Sequence, residues 1–371
     1  MIKKIFVTGS AGFIGFSLAK FLLDNGYHVH GYDCMSYYYD VRLKHARHKI
    51  LKGYENFSFT EDMLENQEVL DKTITNFKPE IIVHLAAQAG VRYSIEQPRV
   101  YLSSNITGTF NIIELAHKLK VNHLIIASSS SVYGANKNMP YHETDKAQTQ
   151  LSVYAATKKA TESIAHSYSN IWKLPITVLR FFTVYGPWGR PDMALFKFTK
   201  SIIQGKPIDI YNNGEMYRDF TYIDDIVKGI KALMSVPPKE EKNIDKNDSL
   251  SPVAPFRIVN IGNSKQVKLL DFVEAIETYL GKKAIRNYMP MQKGDVPATW
   301  ANTDLLKKLT GYAPKTDIKE GIKNNKYYEN NKGESPIELF KKHHPDTIIE
   351  KHLIKMENSL IKKVGVVLID K

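Results

Sequence analysis

The sequence predicts an α/β protein in which a doubly wound parallel sheet is followed by a smaller, mixed C-terminal subdomain. Short β-branched or apolar runs alternate with stretches in which apolar residues recur at helical spacing, which is the pattern of βαβ units. After Arg190 this alternation loosens, and prolines divide the chain into shorter pieces. The predicted strands are residues 5–8, 28–32, 81–85, 124–128 and 176–180.

Length and composition indicate an ordinary globular protein. The chain has 371 residues, of which 43% are hydrophobic and 24% are charged. No apolar run approaches about 18 residues, so we expect no membrane contact, and the first strand begins too early for a signal peptide. The single cysteine, Cys34, fits a reducing, cytoplasmic compartment, and we expect it to be a small packing residue.

The net charge of +12 favours an anionic ligand or a well-solvated surface. The lysines are scattered and lack the interleaved aromatic residues of a groove that follows a nucleic-acid strand, so we expect no nucleic-acid partner. We also expect no metal, because His343 and His344 have no further histidine before His352.

Three glycines separate the first predicted strand from a helix predicted over residues 13–23. In TGSAGFIG, Gly9 permits a tight turn, Gly12 lets backbone amides approach a pyrophosphate, and Gly15 lets the helix pack closely against the strand. The helix N-terminus then offers N–H groups and a partial positive charge. This predicts a Rossmann-like dinucleotide site that includes Phe13 and Ile14. A glycine-rich turn used only for packing is the alternative.

A carboxylate follows the second predicted strand, 18 residues after Gly15. Asp33 can accept hydrogen bonds from both ribose hydroxyls and would repel a 2′-phosphate, so the sequence favours NAD over NADP. Asp62, with Met63 beside it, suits a contact to the adenine, and a surface aspartate is the alternative.

Small residues occupy the segment HLAAQAGVRYS, residues 84–94, at the end of a predicted strand. Leu85, Ala86 and Ala87 are expected beside the dinucleotide, because bulky side chains would block it. We expect His84 to be a packed strand residue rather than a catalyst.

The segment YAATK places Tyr154 and Lys158 four residues apart, so both project from one face of a helix. An ammonium beside a phenol, with a positive nicotinamide nearby, stabilises the phenolate and lowers the tyrosine pKa. Tyr154 could then act as a base near neutral pH. An incidental pair on an amphipathic helix is the alternative.

The serine cluster SSSSVYG follows a predicted strand, where ligands gather in a doubly wound sheet. A hydroxyl there can bridge a substrate oxygen and the tyrosine and relay a proton. Ser129 and Ser131 are the candidates. Serines that merely form a turn are the alternative.

Together these motifs are similar to those of one protein family. TGSAGFIG, HLAAQAG, SSSSVYG and YAATK resemble the extended short-chain dehydrogenase/reductase family of nucleotide-sugar enzymes over roughly residues 1–328. Further stretches at 35–47, 180–198, 218–226 and 294–301 resemble UDP-glucuronate 4-epimerases, including members of bacterial capsule synthesis. From about Asn330 the family's usual ending is not recognisable.

This resemblance implies a reaction in which Tyr154 removes the 4-OH proton of the sugar while its C4 hydride passes to NAD. The 4-keto sugar then turns over, and the hydride returns to its opposite face. UDP-glucuronate would become UDP-galacturonate, a precursor for surface polysaccharide, and NAD would stay tightly bound and be regenerated in each cycle. A homodimer formed through a four-helix contact is implied as well.

Related activities are disfavoured at the serine cluster. Dehydratases of the family typically carry an Asp-Glu pair where this chain has Ser130 and Ser131, and decarboxylases typically carry a glutamate at the position of Ser131. Another UDP-sugar 4-epimerase, acting on a UDP-N-acetylhexosamine or its uronate, and a UDP-glucuronate decarboxylase stay open as alternatives. A non-catalytic NAD-binding sensor is a third hypothesis, and the Tyr154–Lys158 pair argues against it.

The resemblance also implies contacts to the substrate. Thr183 and Arg190 would hold the glucuronate carboxylate so that the 4-keto intermediate does not lose CO₂. A turn arginine that binds backbone carbonyls is the alternative for Arg190. The other implied substrate contacts are Arg92, Ser129, Tyr211 on the uracil, Arg218 on the diphosphate, and Asp295, which either binds a ribose hydroxyl or caps a helix.

We therefore expect three regions along the chain. Residues 1–180 would form an NAD-binding Rossmann domain, and residues 181–328 mainly a nucleotide-sugar-binding subdomain with some segments returning to the Rossmann core. Residues 329–371 would form an atypical C-terminal tail. Within the second region, the polar stretch 237–255 is expected to be an exposed loop.

Overall fold

A seven-stranded sheet and three small sheets form the framework of residues 3–292 and 294–323, which the computed structural model describes. The strands are β1 (Lys4–Thr8), β2 (His28–Tyr32), β3 (Phe57–Thr60), β4 (Ile81–His84), β5 (His123–Ser129), β6 (Ile176–Phe181), β7 (Thr183–Tyr185), β8 (Pro207–Tyr211), β9 (Tyr217–Arg218), β10 (Phe220–Tyr222), β11 (Phe256–Ile261), β12 (Val267–Lys268), β13 (Ile285–Met289) and β14 (Ala298–Thr299). The large sheet is parallel throughout, in the order β3-β2-β1-β4-β5-β6-β11. The predicted doubly wound parallel sheet is confirmed.

Helices cover both faces of this sheet. They are α1 (Phe13–Asp24), α2 (Val41–Leu51), α3 (Gln67–Phe77), α4 (Tyr93–Glu96), α5 (Pro98–Tyr101), α6 (Gly108–Lys118), α7 (Val153–Trp172), α8 (Ala194–Gln204), α9 (Ile223–Met234), α10 (Leu269–Leu280), α11 (Asp304–Thr310) and α12 (Ile318–Lys323). Successive strand residues face opposite sides, so Ile5 and Val7 join one apolar cluster with α1 and α9, while Phe6 joins another with α3 and α6. Within the described ranges, no helix has the length and apolar character needed to cross a membrane.

All five predicted strands are confirmed, as β1, β2, β4, β5 and β6, and the predicted helix over 13–23 is α1. The sequence prediction missed β3 and β11. In β3 the sequence FSFT alternates apolar and polar residues at the edge of the sheet. In β11 the pairing partner is β6, far back along the chain, so no local pattern shows where the segment returns.

The remaining strands form three small sheets beyond the large one. They pair β7 with β10, β8 with β13, and β9 with both β12 and β14. Because β11 returns to the large sheet, the second region does contribute to the Rossmann core. The boundaries at residues 180 and 328 stay predictions, and the tail at 329–371, with His343, His344 and His352, lies outside the described residues.

The exposed loop predicted over 237–255 is wrong in its second half. Residues 239–247 are mostly exposed, but Leu250, Ser251 and Ala254 are buried. The reason is that this part folds back on β11: the Ser251 backbone N–H donates to the carbonyl oxygen of Phe256.

Candidate active site

One cavity of about 1790 Å³ lies where the strands of the large sheet end and the small sheets begin. Its walls include the residues that follow the carboxyl ends of β1 to β6, the edge at which ligands bind in such sheets. Every residue for which the sequence predicts a role lines this cavity: Gly9, Gly12, Phe13, Ile14, Gly15, Asp33, Asp62, Met63, Leu85, Ala86, Ala87, Arg92, Ser129, Ser131, Tyr154, Lys158, Thr183, Arg190, Tyr211, Arg218 and Asp295. The structure thus brings the whole predicted set together, and their individual roles stay predictions.

The turn between β1 and α1 has no room for side chains at its glycines. Gly9 has a φ of +72°, and a Cβ atom there would lie 2.8 Å from the backbone nitrogen of Ala86. A Cβ atom on Gly15 would lie 2.0 Å from the carbonyl oxygen of Gly9. Gly12 is the N-cap of α1, with no side-chain cap and no acidic residue in the first turn. This cradle fits a pyrophosphate group.

Asp33 is buried at the end of β2 and is held by the protein on several sides. Its carboxylate accepts hydrogen bonds from the backbone N–H groups of Ala11, at 3.1 Å, and Met35, at 2.8 Å. The Lys44 ammonium lies 3.4 Å from Asp33 Oδ1 and also donates to Ser36. The carboxylate is therefore fixed in place beside the glycine turn, as a ribose-binding group must be.

Cys34 does not pack in the interior as we expected. The chain leaves β2 after Tyr32, and Cys34 turns outward into the wall of the cavity, where it is exposed. The prediction that Cys34 is a packing residue is therefore wrong.

A buried histidine, His84, forms hydrogen bonds to two threonines at the end of β4. His84 bonds to Thr8 through Nδ1, at 2.8 Å, and to Thr109 through Nε2, at 2.9 Å. The Thr8 hydroxyl in turn accepts hydrogen bonds from the N–H groups of Leu85 and Ala86. Burial lowers the pKa of His84 to about 3. The prediction that His84 is a packed strand residue is confirmed.

Asp62 is half-buried in the cavity wall and accepts hydrogen bonds from residues of its own turn. It accepts hydrogen bonds from the Met63 backbone N–H, at 2.7 Å, and from Asn66, at 2.8 Å. These bonds orient the aspartate at the rim where an adenine contact is predicted.

Helix α7 carries Tyr154 and Lys158 on the face that lines the cavity. The helix starts at Val153 because the Ser152 side chain, at the N-cap, accepts a hydrogen bond from the Ala155 N–H at 3.1 Å. Lys158 is buried and donates from Nζ to the carbonyl oxygen of Ala127 at 2.8 Å.

In the protein by itself, the pKa of Tyr154 depends on burial and on two neighbouring groups. Burial raises it above its ordinary value, while the hydrogen bond with Ser129 and the charge of Arg190 act in the opposite direction. Burial also lowers the pKa of Lys158 to about 8, against the attraction of Glu162. In the protein by itself, Ser129 and Arg190 are the groups that oppose the effect of burial on the Tyr154 pKa. The expected lowering by Lys158 together with a nicotinamide stays a prediction.

The serine cluster forms a turn, as the alternative interpretation expects, and the proton relay stays a prediction. Ser129 is the N-cap of a short 3₁₀ turn (Ser130–Tyr133), and its hydroxyl accepts a hydrogen bond from the Ser131 N–H at 3.2 Å. The same hydroxyl bonds to Ser131 Oγ at 3.2 Å and interacts with Tyr154. Forming the turn thus places Ser129 beside Tyr154.

A buried ion pair lies behind these groups. Arg180 on β6 and Glu162 on α7 are each 2% exposed and bond through both carboxylate oxygens, at 2.9 and 2.8 Å. Glu162 also accepts a hydrogen bond from Ser128 at 2.7 Å. Burial alone would raise the pKa of Glu162, but Arg180 outweighs it and lowers that pKa. The pair joins α7 to the ends of β5 and β6.

Arg190 bonds a carboxylate rather than the backbone of its turn. Its Nε donates to Asp192 Oδ1 at 3.0 Å, and its Nη2 donates to Asp192 Oδ2. Tyr38 also donates to Asp192, at 3.2 Å, and its ring lies 5.6 Å from the Arg190 guanidinium. Thr183, at the start of β7, lines the same cavity. The alternative in which Arg190 binds turn carbonyls is therefore wrong.

Four of the predicted substrate contacts meet at the far end of the cavity. Arg218 donates to Asp295 at 2.9 Å, and Arg92 lies 3.9 Å from the same carboxylate. The Arg92 guanidinium lies 4.9 Å from the centre of the Tyr211 ring. Asp295 sits in an irregular segment before β14, so the alternative in which it caps a helix is wrong.

Three residues of the site escaped the sequence reasoning: Tyr38, Lys44 and Asp192 line the cavity and contact predicted residues. The sequence does carry a signal for two of them, because the stretch at 35–47 combines consecutive tyrosines with basic residues two or three positions apart. Asp192 lies two residues after Arg190, a spacing at which a turn brings the two charges together.

Comparison of the sequence with known proteins identifies the family of this chain. The sequence model of a family described as GDP-mannose 4,6 dehydratase matches residues 6–325. The chain belongs to this family. It is part of the extended short-chain dehydrogenases/reductases, whose resemblance to the chain is thereby confirmed.

Three relatives place the chain within that family. A probable UDP-glucuronate 4-epimerase of Rhizobium meliloti (strain 1021) is 52% identical over 322 residues, which are 86% of this chain and 94% of the relative. Protein CapI of Staphylococcus aureus is 53% identical over 321 residues, 86% of this chain and 96% of CapI. The crystal structure of UDP-glucuronic acid 4-epimerase from Bacillus cereus, in complex with UDP-glucuronic acid and NAD, has a TM-score of 0.77 at 33% identity. It covers 87% of this chain and 97% of the other.

Proposed function

We propose that this member of the family is an NAD-dependent UDP-glucuronate 4-epimerase. It would interconvert UDP-glucuronate and UDP-galacturonate through a 4-keto intermediate. The observation that carries the proposal is that Tyr154, Ser129 and buried Lys158 line one cavity with the glycine turn and Arg190. The names of the relatives support the choice of sugar.

The residues around the glycine turn fit NAD. The glycine cradle would hold the pyrophosphate, and Asp33 would bind the ribose hydroxyls of the adenosine. Ala86 and Ala87 keep the middle of the cavity free of bulky side chains. When bound, NAD accepts the C4 hydride of the sugar and returns it to the opposite face.

Tyr154 would act as the general base that transfers the proton. Its phenolate oxygen would take the 4-OH proton of the sugar, with Ser129 between the sugar oxygen and the phenolate. The cation of Lys158, fixed by the Ala127 carbonyl, would stabilise the phenolate form of Tyr154 before it takes the proton. The same groups would return the proton when the 4-keto sugar is reduced.

The serine cluster supports epimerisation over elimination or decarboxylation. Ser130 and Ser131 line the cavity where an acid–base carboxylate would be needed for those reactions. A serine hydroxyl, with its high pKa, is a poor general acid or base at neutral pH, so the 4-keto sugar would be reduced again rather than diverted.

The other end of the cavity would hold the rest of the substrate. Thr183 and Arg190 would bind the uronate carboxylate, with Asp192 orienting the arginine. Arg218 and Arg92 would face the diphosphate, with Tyr211 against the uracil and Asp295 near a ribose hydroxyl. Two arginines around one aspartate leave positive charge for a dianionic diphosphate.

A cytoplasmic homodimer without nucleic-acid or membrane partners also belongs to this proposal. Exposed apolar side chains at the end of α7, Ile171 and Trp172, and Leu102 before α6 support an association through helices. Light scattering on the purified protein would give the oligomeric state. A role in supplying precursors for surface polysaccharide is inferred from the resemblance to capsule enzymes.

A direct assay tests the proposed reaction. Purified protein is incubated with UDP-glucuronate, UDP-glucose or UDP-N-acetylglucosamine, and products are followed by NMR together with CO₂ release. We expect UDP-galacturonate without added NAD and little UDP-pentose. Conversion of neutral sugars alone, or UDP-pentose as the main product, would contradict the proposal.

A further inference from the structure

Arg47 on α2 is a fully buried cation that bonds only to neutral oxygens. Its Nη1 donates to the carbonyl oxygen of Ala11 at 2.8 Å and to the Tyr39 hydroxyl at 2.9 Å. Its Nη2 donates to the carbonyl oxygens of Trp188, at 2.6 Å, and Gly189, at 3.3 Å. Its side chain has no solvent exposure, and no carboxylate among the described residues forms an ion pair with it. Burying a charge without a paired anion costs free energy, which these hydrogen bonds to neutral oxygens must offset.

The three carbonyl oxygens that Arg47 binds belong to two different turns beside the cavity. Ala11 lies in the glycine turn between β1 and α1. Trp188 and Gly189 lie in the turn that directly precedes Arg190, in which the Gly189 N–H donates to the carbonyl oxygen of Gly186 at 3.2 Å. The planar guanidinium can reach both because its donors diverge in a fixed fork.

The turn before Arg190 depends on outside support. Trp188 has a φ of +59°, in the left-handed region that favours glycine. Besides the bond from Arg47, its ring packs against Phe16 of α1, with ring centres 5.5 Å apart. The position of this turn is therefore set by α1 and by Arg47, both of which also contact or follow the glycine turn.

We propose that Arg47 is a positioning residue that couples the dinucleotide-binding turn to the turn carrying Arg190. Occupancy of the glycine turn by the pyrophosphate and recognition of the uronate carboxylate by Arg190 then stabilise each other. The buried charge has a role in this arrangement, because it lies behind the turn that faces the phosphates. The inference rests on the proposed function, since it takes NAD and a uronate as the two ligands.

The test follows NAD release from the holoenzyme rather than turnover. Tyr154→Phe serves as the parent protein so that bound sugar is not converted. The rate of NAD loss is measured without any sugar nucleotide, with UDP-glucuronate, and with UDP-glucose. The neutral CH₂OH of UDP-glucose gives Arg190 no carboxylate to bind. We expect UDP-glucuronate to slow NAD loss more than UDP-glucose does in the parent.

Two variants at Arg47 and one control complete the comparison. Arg47→Gln should release NAD about tenfold faster or more, the effect of one lost charge-assisted hydrogen bond, and should erase the difference between the two sugars. Arg47→Lys keeps the charge but cannot bridge both turns, so it should also erase that difference while melting close to the parent. Lys49→Gln removes the same charge from the exposed side of α2 and should behave as the parent.

The outcomes separate coupling from simple packing. If Arg47→Lys retains the parent's difference between the sugars, Arg47 only stabilises the fold and the inference is overturned, whatever happens to the folding of Arg47→Gln. Equal NAD loss with both sugars in the parent also overturns it. Failure of the proposed function is seen separately, as binding of UDP-glucuronate to the parent no tighter than that of UDP-glucose by calorimetry.

Discussion

Lys158 donates a 2.8 Å hydrogen bond from Nζ to the carbonyl oxygen of Ala127, which attaches helix α7 to the last residues of strand β5. The strand end that carries Ser129 and the helix that carries Tyr154 are therefore held together by the lysine itself. Because burial lowers the pKa of Lys158 to about 8, this cation titrates within an accessible pH range.

We expect Lys158→Met to lower turnover by about a hundredfold or more and to release NAD, because both the cation and the bond to β5 are lost. In the unmodified protein, turnover should fall as pH rises through about 8, where Lys158 loses its proton. Nucleotide content after gel filtration and a pH–rate profile check these results. Full NAD retention and an unchanged profile would dismiss the role of Lys158.

Tyr154→Phe should reduce turnover by about 10²–10⁴-fold, the usual contribution of a general acid–base group. The affinity for UDP-glucuronate should change little, since only the proton-transfer hydroxyl is removed. NMR turnover and calorimetry measure the two effects. Tyr168→Phe, on the same helix but away from the cavity, is the matched control. Near-normal turnover of Tyr154→Phe would rule Tyr154 out as the base.

Thr183→Ala and Arg190→Ala should each harm UDP-glucuronate turnover more than NAD binding. A lost charge-assisted hydrogen bond costs about 1.5–3 kcal/mol, which is one to two powers of ten. A loosened carboxylate could align with the 4-keto group, so we expect some UDP-pentose and CO₂. The ratio of epimer to pentose is measured beside the melting temperature. A change in stability alone, with ratio and turnover intact, would refute the carboxylate assignment.

Glu162→Gln should destabilise the protein by about 3–5 kcal/mol, because it leaves the buried Arg180 without its anion. Lys118→Gln breaks the exposed pair with Asp71 and should cost less than about 1 kcal/mol. Urea unfolding of both variants gives the comparison. Equal small losses would mean that water reaches the Arg180 site.

Buried histidines should make the protein sensitive to acid. Burial lowers the pKa of His30, His48 and His123 to about 4, and that of His84 to about 3, below the ordinary value of 6.5. Their contribution to stability is therefore complete above pH 6.5 and is lost as pH falls toward 4, by up to about 3 kcal/mol for each histidine at pKa 4.

Urea unfolding between pH 7.5 and 5 measures this effect. His123→Gln lies away from the cavity and should reduce the dependence of stability on pH, because one fewer group takes up a proton on unfolding. An identical pH dependence in the variant and the unmodified protein would contradict the assignment.

The sequence predicted the parts of the site that obey local rules. Gly9, Gly12 and Gly15 can be recognised from their spacing between a strand and a helix. Helical periodicity alone places Tyr154 and Lys158 on one face of α7. Residues that end the parallel strands of the large sheet meet at one edge, which is why Asp33, Leu85 and Ser129 line one cavity.

Contacts between distant segments could not be predicted in this way. Arg47 bonds to carbonyls of residues 11 and 188, and Tyr38 reaches Asp192, because of packing that no local pattern encodes. The pKa of Tyr154 likewise depends on the depth of burial, which sequence spacing does not give. The burial of Leu250, Ser251 and Ala254 follows from β11, whose partner is far away along the chain.

Strand β11 also has a consequence for biosynthesis. It pairs with β6 only after the chain has passed through β7 to β10, so a nascent chain that ends soon after Phe181 has no partner for the outer edge of β6. An open, apolar strand edge recruits other chains, and this one stays open until Ile261 has left the ribosome. The segment from β7 to β10 is thus synthesised while the large sheet is still one strand short, and the two must complete their folding together.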